Sequence, residues 1–170
     1  IDDNEITIAN PKRGTPFTAR MDHNGAAVSD KYYFAVKIED LKGSFSIGVI
    51  KEDQCLPGWK SKGLFYNGNL TNGSAALKTS WGPRPTIGDT VGVRVSSSSG
   101  TGDGASQEDT NVLEVAFYKN QECIGTGFRL KDVSGLYQPS IHVDGTAKLS
   151  LVVPEMVPFK ETNKKTKPSS

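Results

Sequence analysis

The chain has 170 residues and a formal net charge of +1, with 20 Lys and Arg against 19 Asp and Glu, a length that suits one domain able to bury a core. Only 35% of the residues are hydrophobic, while 18 glycines and 9 prolines punctuate the chain, which excludes long helices and favours short strands joined by turns. No apolar run reaches the ~18 residues of a membrane span, and the near-neutral charge offers no large field for nucleic acid or a membrane surface.

In chain order, residues 1–31 read as N-terminal strands and an irregular lead-in, broken by Pro11, Gly14, Pro16 and Gly25. The first clear strand is predicted over 32–39, where Phe34, Val36 and Ile38 alternate with Ala35, Lys37 and Glu39. Gly43 reads as a break, after which Phe45, Ile47 and Val49 repeat the alternation. The same period of two returns at Val91, Val93 and Val95, at Leu113, Val115 and Phe117, and at Leu149 and Leu151 with Val153. One apolar and one polar face per strand is the pattern of antiparallel sheets packed on one side. The predicted class is therefore all-β, a sandwich. Residues 96–110 carry no large apolar side chain and read as a polar loop insertion between two strands. Residues 155–170 read as a basic, disordered tail, with Lys160, Lys164, Lys165 and Lys167 set against Glu161. The chain opens on Ile1 rather than Met and is expected to be part of a longer protein.

The sequence carries little recognisable catalytic or ligand chemistry. His23 and His142 are the two histidines, and neither stands in a zinc spacing, so no metal or cofactor is expected. Residues 43–48 have the glycine spacing of a phosphate loop, but Val49 occupies the place of the required lysine. No Gly-x-Ser-x-Gly elbow occurs. Nucleic acid is not expected either, since the basic cluster at 164–167 has no interleaved aromatics on which bases would stack. Trp59 and Trp81, each beside a glycine, read as core rather than as exposed platforms. Cys55 and Cys123 allow at most one disulfide and point to a reducing, cytoplasmic or nuclear compartment. The triplets beginning at Asn69 and Asn72 overlap in a Gly-rich run and read as turn chemistry rather than as glycan acceptors.

Eight short strings occur in a recognisable order: Tyr33-Phe34-Ala35-Val36-Lys37-Ile38, Ser46-Ile47-Gly48-Val49, Gly58-Trp59, Tyr66-Asn67-Gly68, Gly88-Asp89-Thr90-Val91-Gly92-Val93, Val115-Ala116-Phe117-Tyr118-Lys119-Asn120, Gly125-Thr126-Gly127-Phe128 and Leu136-Tyr137-Gln138-Pro139-Ser140-Ile141. This succession resembles the SPRY domain, the core of B30.2 modules, with residues 32–154 as the core. The resemblance implies a bent β-sandwich of two antiparallel sheets, of the concanavalin-like jelly-roll type. It also implies a non-catalytic protein-interaction module, monomeric as an isolated domain, that takes a protein or a short extended peptide on its edge loops.

Carried over by position, the ligand site would comprise Arg20, Met21, Asp22 and His23 before the first core strand and Ser44 at the Gly43 turn. Glu52 and Gln54 from the loop over 51–57, and His142, Val143 and Asp144, would complete it. This chain departs from the peptide-binding pattern, having Val143-Asp144-Gly145 in the segment where those relatives supply a tryptophan and no tyrosine in the 51–57 loop. The candidate rim leans acidic, which favours basic or hydroxyl-rich ligands. Two further departures are Gln121, where the hairpin turn commonly has glycine and for which a longer or different turn is expected, and Gln138, which separates Tyr137 from Pro139. The alternative function is a lectin-like sandwich binding carbohydrate or a small ligand, with Trp81-Gly82-Pro83 as its stacking face.

Overall fold

The structure is a computed structural model that describes residues 5–9, 16–20, 31–99, 111–131, 133 and 137–152. Among them are ten strands and no α-helix: β1 (Glu5–Ala9), β2 (Phe17–Arg20), β3 (Lys31–Lys51), β4 (Gly63–Tyr66), β5 (Leu70–Thr71), β6 (Ala76–Lys78), β7 (Thr90–Ser99), β8 (Asn111–Lys119), β9 (Glu122–Lys131) and β10 (Tyr137–Val152). All pairings are antiparallel.

Two long strands organise everything else. β3 and β10 pair with each other from Ala35↔Val152 to Lys51↔Tyr137. The other edge of β3 takes β7 along residues 31–37 and β4 along 47–50, while the other edge of β10 takes β2 along 140–143 and β1 along 146–150. One layer is therefore β1, β10, β3, β7, β8 and β9, and the other is β2, β10, β3, β4, β5 and β6. The two layers share β3 and β10, which must turn from one to the other between their two sets of partners.

The irregularities of both strands fall in that interval. Glu39 has no counterpart where the register slips at Lys148/Leu149, and Gly43 and Gly145, which face each other, have φ of +116° and +118°. The sequence expectation of a break at Gly43 is thus corrected: the residue bends a continuous strand rather than ending one. A Cβ on Gly43 would lie 2.0 Å from the Asp144 carbonyl oxygen, so only glycine lets the two backbones meet there. For the same reason residues 142–145, expected in a loop, lie inside β10. The loop insertion is corrected at its start, because residues 96–99 belong to β7 and continue the ladder to Ser99↔Asn111; residues 100–110 lie outside the described residues, as does the tail over 155–170. The hairpin at Gln121 keeps a two-residue turn, with Asn120 and Gln121 both left-handed (φ 50° and 69°), the geometry whose twist matches the flanking strands.

The alternating apolar faces meet between the layers. Val36, Ile38, Val91, Val93, Val115 and Phe117 are buried from one side, and Ile47, Val49, Tyr66, Ile141 and Val143 from the other. The Tyr66 ring lies 5.1 Å from Phe117, and Trp81 stands edge-on to both at 5.6 and 6.0 Å. The Tyr66 hydroxyl donates to the Pro83 carbonyl, satisfying its polar end. Burial, reinforced by the Asp89 carboxylate, pushes this phenol up to about 12. Trp81 is therefore part of the core rim, whereas the Trp59 side chain lies outside the described residues.

Candidate functional site

The sides of β3 and β10 that point away from the core carry the site. In β3, Ser44 and Ser46 alternate with the core residues Phe45 and Ile47, and in β10, His142 and Asp144 alternate with Ile141 and Val143. The ladder sets His142 opposite Ser46 and Asp144 opposite Ser44. Ser44, Ser46, Asn67, Thr71, Ala76 and His142 line a depression of about 180 Å³ floored by these strands and walled by the β4–β5 and β5–β6 turns.

The turns are held by their own asparagines. Asn67 uses both ends of its amide, donating to the Ser46 hydroxyl at 3.2 Å and accepting from the Asn69 N–H at 3.1 Å. The Asn72 oxygen accepts from the N–H groups of Ser74 and Ala75, and the Asn69 oxygen from that of Ser80. Both glycosylation-type triplets thus serve as turn chemistry through side-chain-to-backbone bonds.

His142 is buried, with 5% of its surface exposed. Its Nδ1 lies 2.9 Å from the Thr18 hydroxyl of β2, and its ring is 5.6 Å from Phe65. Burial lowers its pKa below the ordinary imidazole value, and the nearby Asp144 carboxylate offsets part of that effect. The site therefore sets a buried imidazole beneath hydroxyl and amide groups.

Of the residues singled out in the sequence, Ser44 and His142 line the depression together, and Asp144 flanks it across the ladder from Ser44. Val143 is corrected: it is fully buried on the opposite face, inside the core, and presents nothing to a ligand. Gln54 sits in a 3-10 turn (Glu52–Gln54), where its carbonyl accepts from the N–H groups of Leu56 and Lys62, and it does not line the depression. Arg20 pairs with Ser140 in the β2–β10 ladder. The side chains of Arg20 and Glu52, and all of Met21, Asp22 and His23, lie outside the described residues. Ser46, Asn67 and Thr71 were not anticipated. Ser46 was legible, since the alternation placed it on the face of Ser44; Asn67 and Thr71 arrive through the fold-back of β4 and β5.

The crystal structure of a human SPRY domain matches this chain with a TM-score of 0.68, at 17% sequence identity, over 92% of this chain and 96% of that one. The chain has the SPRY-domain fold. No family model matches the sequence, and no curated protein does. The SPRY fold agrees with the bent two-layer sandwich that the eight strings implied. Within it, no group of three or more potential metal-ligating side chains occurs among the described residues, and no helix there is long and apolar enough to cross a membrane.

Proposed function

We propose that the chain is a non-catalytic protein-interaction module that takes a short extended segment of a protein partner in the depression bounded by Ser44, Asn67, Thr71 and His142. The observation that carries this reading is the convergence, in one depression on the outward side of the β3–β10 ladder, of hydroxyl, amide and imidazole groups suited to a peptide main chain. Asp144 at the rim favours a hydroxyl or basic side chain on the segment. Free thiols at Cys55 and Cys123 suit a reducing, cytoplasmic or nuclear setting. The peptide reading is favoured over the lectin alternative because Trp81, the platform of the latter, is half-buried and packed edge-on against Tyr66 and Phe117.

The test is selection of a displayed random-peptide library on the protein, followed by affinity measurement on filled variants. Ser44→Tyr and Ala76→Tyr occupy the depression from exposed positions without touching the core. Selected peptides are expected to lose about tenfold or more in affinity to each variant, while Lys131→Ala on β9 leaves binding unchanged. Peptides that bind all three variants equally would dismiss the depression as the site.

A further inference from the structure

Between Asp53 and Asp89 the chain has no carboxylate, yet it carries Lys60, Lys62, Lys78 and Arg84. In a chain that is otherwise balanced, a 35-residue run with four cations and no acid is a local field of one sign. The fold gathers this run at one margin: β4, β5 and β6 end the second layer, and β6 pairs with β5 alone among the described strands. Lys78 is exposed on β6 beside Leu77, itself 58% exposed.

A second depression, of about 390 Å³, opens at this margin, lined by Asn67, Gly68, Asn69, Ser80, Gly82 and Arg84. It shares Asn67 and Asn69 with the first and so lies beside it. β6 borders the first depression at Ala76, and the chain reaches the second at Ser80, two residues past the end of that strand. The backbone around the second depression is already committed: the N–H groups of Trp81 and Gly82 both donate to the Gly68 carbonyl, and that of Ser80 to Asn69. The exposed Arg84 guanidinium is what the depression offers an anion. No carboxylate is among its described lining residues. Asp89 accepts from Thr86 and Asn120 and lies 3.6 Å from the Lys119 ammonium, Glu122 lines a neighbouring depression with Pro83 and Lys119, and Asp144 stands opposite Ser44 beside the first depression.

We propose that this second depression is an acidic-peptide site, in which Arg84 holds a carboxylate of an extended, Asp- or Glu-bearing segment of a protein partner and Lys78 supplies the second cation along β6. Charge complementarity selects the acidic class. The β6 strand beside it, and the absence of an aromatic side chain from its described lining, favour a peptide over a single-stranded nucleic acid, whose bases need aromatic platforms. The site is separate from the one assigned above, and its probe is chosen so that either fails without the other.

Fluorescence anisotropy with a labelled Glu-Ser-Glu-Val-Glu-Ser-Glu-Val peptide, its Lys-for-Glu counterpart and a labelled oligothymidine tests it on the whole chain. The acidic peptide is expected to bind at least about tenfold more tightly than the lysine peptide. Arg84→Glu should weaken it by about tenfold or more, Arg84→Gln by a smaller factor in the same direction, and Lys131→Ala not at all. Both Arg84 variants are checked by thermal unfolding, and Arg84→Gln carries the test if the glutamate variant unfolds early. Equal affinity for the two peptides, or binding indifferent to both Arg84 variants, would overturn the proposal. So would oligothymidine binding as tightly as the acidic peptide and displacing it.

Discussion

Replacing Gly43 by alanine isolates what holds the two layers together. Two separate costs fall on that residue. The first is conformational: at φ +116° an L side chain is strained, by at least about 1–2 kcal/mol. The second is steric: the new Cβ would stand 2.0 Å from the Asp144 carbonyl oxygen and 3.2 Å from the Gly145 Cα, all main-chain atoms locked in the β3–β10 ladder. Relieving such an overlap displaces two strands, which adds about 1–3 kcal/mol as overpacking does elsewhere. Gly88 separates the two contributions, since its φ of +93° carries the first cost while nothing lies within 4 Å of its Cβ position. Urea unfolding of the two single variants should therefore show Gly43→Ala losing about 2–5 kcal/mol and Gly88→Ala about 1–2 kcal/mol, with unchanged m-values. Equal losses would refute the close approach at Gly43 as the reason for glycine there.

Three other outcomes follow from the same geometry. Because burial holds the His142 pKa below its ordinary value, the unfolded chain binds the proton more readily; stability should be level above about pH 6.5 and decline as pH falls below it, and His142→Gln should flatten that slope in denaturation series. Burial raises the Asp89 carboxyl, but the Thr86 N–H, the Asn120 amide, the Thr86 hydroxyl and Lys119 outweigh it and leave the pKa below its ordinary value, so Asp89→Ala should cost roughly 2–3 kcal/mol at neutral pH and progressively less as pH falls below the ordinary carboxylate value of about 3.9, measured by urea midpoints. Gln121→Gly removes a left-handed side chain from the β8–β9 turn and should raise stability by about 1 kcal/mol in thermal unfolding.

The strands of the core were legible because their signal is local: Phe34-Ala35-Val36-Lys37-Ile38 and Val91-Gly92-Val93-Arg94-Val95 alternate, and each alternation is a buried and an outward face. What bends those strands was not legible. Gly43, flanked by Lys42 and Ser44, has the composition of a turn, and its continuity follows from pairing with Gly145, about a hundred residues away. That long-range pairing also explains why 142–145 lies within a strand and why Val143 faces the core. The candidate site divides along the same line. Ser44 and Ser46 share a face by period two, and Ser44 and His142 were reached through the family resemblance. Asn67 and Thr71 come to them through the β4–β5 fold-back, which no short sequence window encodes.

The most direct measurement of the interaction role is a backbone and side-chain-amide NMR titration of the protein with a peptide obtained from the display selection. Shifts are expected to concentrate at Ser44, Ser46, the Asn67 amide, Thr71 and His142, leaving the outward face of β7–β9 around Arg94 and Arg129 unmoved. Shifts concentrated at Arg94, Tyr118 and Arg129, with Ser44, Asn67 and His142 silent, would contradict it and move recognition onto the opposite layer.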